Sequence, residues 1–196
     1  PGGLWTEGDT AQLANAAALE RNPAAVWRLF GSLRPGVQDA APNPAHLALA
    51  HFQERWKVDR SITLITQNID GLHQRARTDV VELHGSLSKT RCSRTECELI
   101  PFEDQDTHAE SVPECPKCAA PLRPDIVLFN EPLPLDAAWK AKKSLRNCDL
   151  FLAIGTSGTV SPASSFVRSA AYVGARTILV NLEPMNPANP AFQTEI

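Results

Sequence analysis

Three short apolar runs constrain this chain most: residues 61–66 (SITLIT), 149–154 (DLFLAI) and 177–182 (TILVNL). Each is rich in β-branched or large aliphatic residues, and the apolar positions follow one another instead of alternating with polar ones. A strand wetted on one side alternates, whereas a strand covered on both faces does not. The runs therefore read as strands of a covered parallel sheet. Between the last two lies a helix-like stretch from about Pro162 to Val173, closed by Gly174. Strand, helix, strand with short loops is a βαβ unit, and its strands run parallel. Residues 134–148 (PLDAAWKAKKSLRNC) read as a helix feeding the second run.

The first third reads as helical. Asn22 is an N-cap with Pro23 in the first helical position, and Pro35-Gly36 marks the stop. Asn43 and Pro44 repeat that start, and Leu49, Phe52 and Trp56 then share one face at i, i+3, i+7. Residues 10–20 form a weaker, Ala-rich helix. Together these make a small helical cap.

Polar side chains follow all three apolar runs. Gln67, Asn68 and Asp70 follow the first, Gly155, Thr156 and Ser157 the second, and Asn181 and Glu183 flank the end of the third. In a parallel sheet the C-terminal strand ends share one edge, and ligands bind in the crevice there, so the three clusters should converge. Glu183 is the kind of acid that takes ribose hydroxyls, and Gly155 to Ser157 can bring backbone N–H groups close to a phosphate. The blander explanation is that strand ends are polar because loops are. No G-x-G-x-x-G is present to decide the matter.

With 196 residues the chain can form one domain with a sizeable core and a small appended module. The net charge of −3 comes without a basic stripe, which disfavours a nucleic-acid surface. No apolar run is long enough to span a bilayer, and the opening residues do not read as a signal peptide. The five cysteines, an odd number, argue against a disulfide framework and for an intracellular, reducing compartment: the cytoplasm, with the nucleus not excluded.

Four of those cysteines form a pattern of their own. Cys92 and Cys97 give C-x4-C, and after 17 intervening residues Cys115 and Cys118 give C-x2-C. Two close pairs bridged by such a gap suit a tetrahedral zinc, and four thiolates leave no open position, so the site is expected to be structural. The intervening segment has no core-forming pattern and should be loose without the metal. His108 lies mid-loop, outside both pairs. Cys148, at a helix–strand junction, reads as a buried core residue. His84 sits just after an apolar strand and before Gly85, which permits an unusual backbone angle or a close approach. Histidine is the side chain best suited to proton transfer near neutral pH, and beside a ribose-gripping site it is a candidate general base.

Taken together, these residues resemble the sirtuins, the NAD-dependent protein-lysine deacylases. TQNIDGLHQRA (66–76) and ELHGS (82–86) look like the family's nicotinamide-ribose and catalytic-histidine segments. The paired cysteines look like its zinc module, and LRPDIVLFNEPLP (122–134) its peptide-pairing stretch. GTSGTVSPAS (155–164) and NLE (181–183) look like its later NAD-contacting segments. The resemblance covers essentially the whole chain, with the motifs in family order. It departs at Asn130, where the family usually has Gly, a substitution that Asn's tolerance of positive φ accommodates. On the same resemblance the chain is expected to open beyond the family's Gly-Ala-Gly loop and Phe-Arg pair, and to stop before its last strand and helix.

The resemblance implies an α/β fold: a Rossmann-like parallel sheet (59–87 and 125–196) with a small helical module (1–58) and a small zinc-binding module (88–124). It implies NAD as cosubstrate, one structural zinc held by Cys92, Cys97, Cys115 and Cys118, and an acyl-lysine protein or peptide as partner. Gln67, Asn68 and Asp70 would hold the nicotinamide ribose and order a water, with Asn68 and Asp70 joining His84 as catalytic residues. Nicotinamide leaves, the acyl oxygen attacks the ribose C1′, and His84 acts as base on a ribose hydroxyl that attacks the acyl carbon. Gly155, Thr156, Ser157, Asn181 and Glu183 would bind the adenosine half. Val127, Phe129, Asn130 and Glu131 would contact substrate, the first two lining the acyl-lysine tunnel. Where family members that favour acidic acyl groups carry Tyr and Arg, this chain has Phe30 and Leu33, with Arg34 next door. Alternatives on the same scaffold are an ADP-ribosyltransferase or NAD glycohydrolase, and a non-catalytic binding module. No membrane association or direct nucleic-acid contact is expected, and the oligomeric state is left open.

Overall fold

The computed structural model describes residues 8–196; the expectation about where the chain opens lies outside them. The protein divides into two compact units, one up to Pro134 and one from Leu135 to Ile196, each described by itself. The first contains helices α1 (Gly8–Leu13), α2 (Ala16–Arg21), α3 (Pro23–Asp39) and α4 (Pro44–Trp56). After these come β1 (Leu64–Thr66), α5 (Leu72–Arg75), β2 (Val80–Glu82), β3 (Gly85–Cys92), β4 (Phe102–Glu103) and β5 (Leu122–Ile126). The second contains α6 (Leu135–Arg146), β6 (Leu150–Ile154), a 3-10 turn (Ala163–Ser165), α7 (Phe166–Tyr172), β7 (Arg176–Val180) and β8 (Thr194–Glu195). Strands β1 and β2 run parallel, as do β6, β7 and β8, while β3 lies antiparallel between β4 and β5. No helix among the described residues is long and apolar enough to cross a membrane.

Helix α3 is the spine of the first unit. Asn22 caps it, its side chain accepting from the Ala25 N–H at 3.0 Å. Val26 and Phe30 enter a cluster with Ala14, Ala18, Leu87, Ile126 and Leu128. Trp27, fully buried, packs instead against Cys92, Cys115 and Leu122 and donates its indole N–H to the Leu122 carbonyl at 2.9 Å. Each such aromatic contributes about 2 to 3 kcal/mol of burial free energy.

The helix does not stop at Pro35-Gly36 but runs on to Asp39. The Arg75 guanidinium supplies the reason. It donates to the carbonyls of Val37, Gln38 and Ala40, so groups that a helix end leaves unpaired are satisfied from outside. The Ala-rich segment is also different: it is two helices broken at Asn15, which caps α2 and bridges to Phe129.

Helix α4 is turned away from its expected face. Its one buried residue is His46, and Phe52 and Trp56 are 42% and 36% exposed. The polar grips fix this rotation: the His46 ring packs on His73 of α5, and the Gln53 amide exchanges two hydrogen bonds with the Asp79 backbone. Strand β6 departs from the both-faces expectation in the same way, with Leu150, Leu152 and Ile154 each at least 40% exposed.

The segment between the cysteine pairs is tied to helix α3 through Arg34. Arg34, 1% exposed, donates to the carbonyls of Leu87, Lys89 and Asp106 and to Thr90 Oγ1, and it pairs with Asp104 at 3.1 Å. Asp104 also accepts from Thr90 and from His108 Nε2, and the His108 ring stands edge-on to Trp27. Gly31 allows the loop its close approach, because a Cβ there would stand 1.9 Å from the Thr107 carbonyl oxygen.

Candidate functional site

The site in the first unit grows out of β1 and β2. Their parallel pairing puts Thr66 beside Glu82, and the Leu83 N–H bonds the Thr66 carbonyl at 3.0 Å. Both strands therefore end together, bringing Gln67 to Asp70 beside His84. The Thr66 hydroxyl accepts from the Asn68 N–H at 3.1 Å, and Asp70 Oδ1 accepts from the Leu72 N–H at 2.9 Å. Asn68 is exposed, while Gln67, Asp70 and His84 are half-buried.

His84 Nδ1 lies 3.0 Å from the Gln67 carbonyl oxygen. A carbonyl only accepts, so Nδ1 carries the proton and Nε2 of the neutral ring is left as the base. Burial lowers the His84 pKa below its ordinary 6.5, and the Gln67 carbonyl works in the opposite direction. The ring is thus neutral, and able to accept a proton, at neutral pH.

Beyond His84, Gly85 is at φ +75°, and a Cβ there would stand 2.1 Å from the Asp125 carbonyl oxygen. Only glycine lets β3 and β5 approach this closely. That approach puts the His84 carbonyl within 2.9 Å of the Val127 N–H. The stretch after β5 is pinned further by Phe129, whose N–H bonds Ala14 and whose carbonyl accepts from Ala16. Val127 is half-buried, and Phe129 and Asn130 are exposed. Asn130 adopts φ +70°, the left-handed conformation that asparagine tolerates. The Glu131 carboxylate is bonded to Arg123 and to the Leu128 N–H.

In the second unit the loop after β6 is shaped by Asn181. Its amide accepts from the Thr156 N–H at 3.1 Å and donates to the Thr156 carbonyl at 2.9 Å. Gly155, at φ +63°, donates to the Val180 carbonyl, and Ser157 bonds Thr159 through its hydroxyl. Glu183 is exposed. Asn181 thus holds the loop that carries Thr156 and Ser157.

The four sulfurs of Cys92, Cys97, Cys115 and Cys118 lie within 4.8 Å of one another. The Cys92–Cys118 and Cys97–Cys115 separations are 3.5 and 3.6 Å. A disulfide needs about 2.05 Å, whereas a tetrahedral zinc with bonds of about 2.3 Å sets its sulfurs about 3.8 Å apart. The donor set fits zinc. The second pair sits on a tight turn in which Cys115 and the Ala119–Ala120 backbone exchange two hydrogen bonds. His108 is engaged with Asp104 and stands outside the quartet. Cys148 is half-buried, its thiol directed to the Leu150 carbonyl.

Sequence reasoning missed Arg123, eight residues from its partner Glu131 and with no periodic relation to it. It also missed Thr66, whose hydroxyl orders the turn carrying Asn68.

The Sir2 family model matches residues 1–162. NAD-dependent protein deacylase 2 of Pyrobaculum aerophilum is 44% identical over 186 residues, covering 94% of this chain and 72% of its own. A solved Sir2 homolog–NAD complex superposes with a TM-score of 0.87 at 36% identity, covering 98% of this chain and 73% of that one. Sir2 bound to acetylated peptide gives a TM-score of 0.82 at 29% identity, covering 93% and 76%. Sequence match, shared fold and the order of the motifs agree, and the chain belongs to the Sir2 family.

Proposed function

We propose that the protein is an NAD-dependent protein-lysine deacylase, removing a neutral acyl group from lysine and releasing nicotinamide and an O-acyl-ADP-ribose. The observation that carries this reading is the 3.0 Å contact of His84 Nδ1 with the Gln67 carbonyl oxygen, which leaves Nε2 as the base. A relative named as an NAD-dependent protein deacylase, and neighbours solved with NAD and with acetylated peptide, support it.

NAD, when bound, supplies a ribose carbon from which nicotinamide departs and a hydroxyl that a base can activate. Gln67, Asn68 and Asp70 hold that ribose and order a water. His84 Nε2 takes the hydroxyl proton. Gly155, Thr156, Ser157, Asn181 and Glu183 serve the adenosine half, Asn181 by keeping the loop in shape. Val127, Phe129 and Asn130 meet the acyl-peptide. Cys92, Cys97, Cys115 and Cys118 hold one structural zinc, which takes no part in proton transfer because four thiolates leave no open position. The functional division is a helical segment (1–58), a zinc module (88–124) and an NAD-binding portion (59–87 and 125–196). A reducing compartment keeps the thiolates available for metal.

The test is to incubate the protein with NAD, with and without an acetyl-lysine peptide, and to measure nicotinamide. Release that depends on the peptide and yields free lysine is expected. Release independent of peptide would instead indicate an NAD glycohydrolase or ADP-ribosyltransferase.

A further inference from the structure

Val127 to Glu131 was read above as the edge that meets the acyl-peptide, and this inference rests on that reading. The edge is held by bonds of its own. Leu128 is tied to Glu131 twice: its N–H to Glu131 Oε2 at 2.8 Å, and its carbonyl to the Glu131 N–H at 3.0 Å. Phe129 and Asn130 are the two central residues of the turn so closed, and the second has the positive φ that a type II turn requires at that place.

The anchor of the turn is Arg123, on the buried strand β5 and 5% exposed. Its two terminal nitrogens bond the two Glu131 oxygens, one at 2.9 Å, and Nη2 also donates to the Ile126 carbonyl at 3.0 Å. A bidentate guanidinium–carboxylate pair fixes direction as well as distance. Burial pushes the Glu131 pKa up, but the bonds from Arg123 and the Leu128 N–H outweigh it and hold the group below the usual carboxylate range. The carboxylate therefore stays ionised and acts as a fixed strut between strand and turn.

A pair that served β5 alone would have no need to reach the Leu128 amide, which lies beyond the strand. We propose that Arg123 and Glu131 are positioning residues for the acyl-peptide, their ion pair presetting the Leu128–Glu131 turn so that the peptide meets a formed edge. Glu131 is then not a substrate contact, because both its oxygens are engaged within the protein. Presetting a loop strengthens binding by removing the cost of ordering it. The pair should accordingly appear in peptide affinity and not in the proton-transfer step.

The experiment compares wild type, Glu131→Gln and Arg123→Lys. Glu131→Gln keeps the shape and removes the charge, whereas Arg123→Lys keeps the charge and removes the two-point geometry. A fluorescent acetyl-lysine peptide is titrated by anisotropy, the fold is checked by circular dichroism, and amide exchange is followed at Leu128 and Glu131. Both variants are expected to fold, to exchange faster at those two amides, and to bind the peptide about tenfold or more weakly. In steady-state assays KM for peptide should rise while kcat and KM for NAD stay near wild type. Peptide affinity within twofold of wild type in a folded variant overturns the proposal. Loss of fold in both variants overturns it too, because the pair would then be holding the domain and not the turn. Should the wild type bind no acyl-lysine peptide, the functional reading fails separately. Amide exchange then judges the clamp alone, and unchanged exchange in Glu131→Gln overturns it.

Discussion

The main-chain carbonyl of His84 holds the Val127 amide at 2.9 Å, so the residue read as general base and the edge read as peptide contact share one hydrogen bond. That bond depends on Gly85. At φ +75° a side chain is strained, and its Cβ would stand 2.1 Å from the Asp125 carbonyl oxygen, so β5 would have to move. Gly85→Ala should cost about 3 kcal/mol or more in stability, combining left-handed strain with overpacking. Denaturant unfolding measures it, and a variant as stable as wild type would remove the close approach as an explanation.

The lowered His84 pKa sets a pH dependence. The base works when neutral, so deacylation should rise with pH along a single acid limb whose midpoint lies below the ordinary histidine value. Stability moves in the same direction. The folded pKa is depressed, so the unfolded chain binds the proton more readily, and stability present above the unfolded pKa is lost as pH falls through the folded one. His84→Ala should abolish deacylation with the fold intact. Near-normal turnover in that variant, or an acid limb above the ordinary value, would exclude the assigned role.

How much of this was legible in the sequence depends on the range of the signal. The cysteine quartet, the strand ends and the helix starts at Asn22 and Asn43 rest on residues close in sequence, and the structure has them. The helix stop at Pro35-Gly36 failed because Arg75, far along the chain, satisfies the terminal carbonyls. Phe52 and Trp56 matched a helical period, yet polar contacts at His46 and Gln53 set the rotation. The Arg34–Asp104 and Arg123–Glu131 pairs leave no local pattern at all. Each joins charges that only the folded chain brings together.

The sulfur geometry predicts one zinc per chain. Elemental analysis should give a ratio near one, and Cys115→Ser should lower it. Chelation should expose amides from Cys92 to Pro121 to exchange, because metal binding and local folding are coupled. Well-folded protein without zinc would overturn this assignment.

Asp104 joins helix α3 to the segment between the cysteine pairs. Burial would raise its pKa, but bonds from Thr90, His108, the Asp106 amide and Arg34 lower it to about 2. A depressed carboxylate contributes stability above its unfolded pKa and loses it as pH falls through the folded one. Asp104→Asn should therefore cost on the order of 3 kcal/mol near neutral pH, because it leaves the buried Arg34 without its counter-charge. The gap between variant and wild type should close as pH is lowered toward about 2. A gap that is constant with pH would show that the ionised carboxylate is not what matters.

Acyl preference follows from what surrounds the same helix. The resemblance puts Phe30 and Leu33 where family members that take acidic acyl groups have Tyr and Arg. Phe30 is 1% exposed in an apolar cluster and has no hydroxyl to offer, and Leu33 packs against the same cluster. Arg34 is the neighbouring cation, and a small shift of the helix would be needed to bring it round. The structure opposes that shift, because Arg34 is committed to three carbonyls, a hydroxyl and Asp104. Freeing it would unmake the contact between α3 and the cysteine-bearing segment. A succinyl or malonyl carboxylate would then be buried without a partner, at a cost of several kcal/mol. Catalytic efficiency on an acetyl-lysine peptide should exceed that on the succinyl version of the same peptide by about a hundredfold, the equivalent of roughly 3 kcal/mol. A preference for succinyl would mean that Arg34 leaves its buried partners, and succinyl activity lost in Arg34→Lys would identify it as the reader.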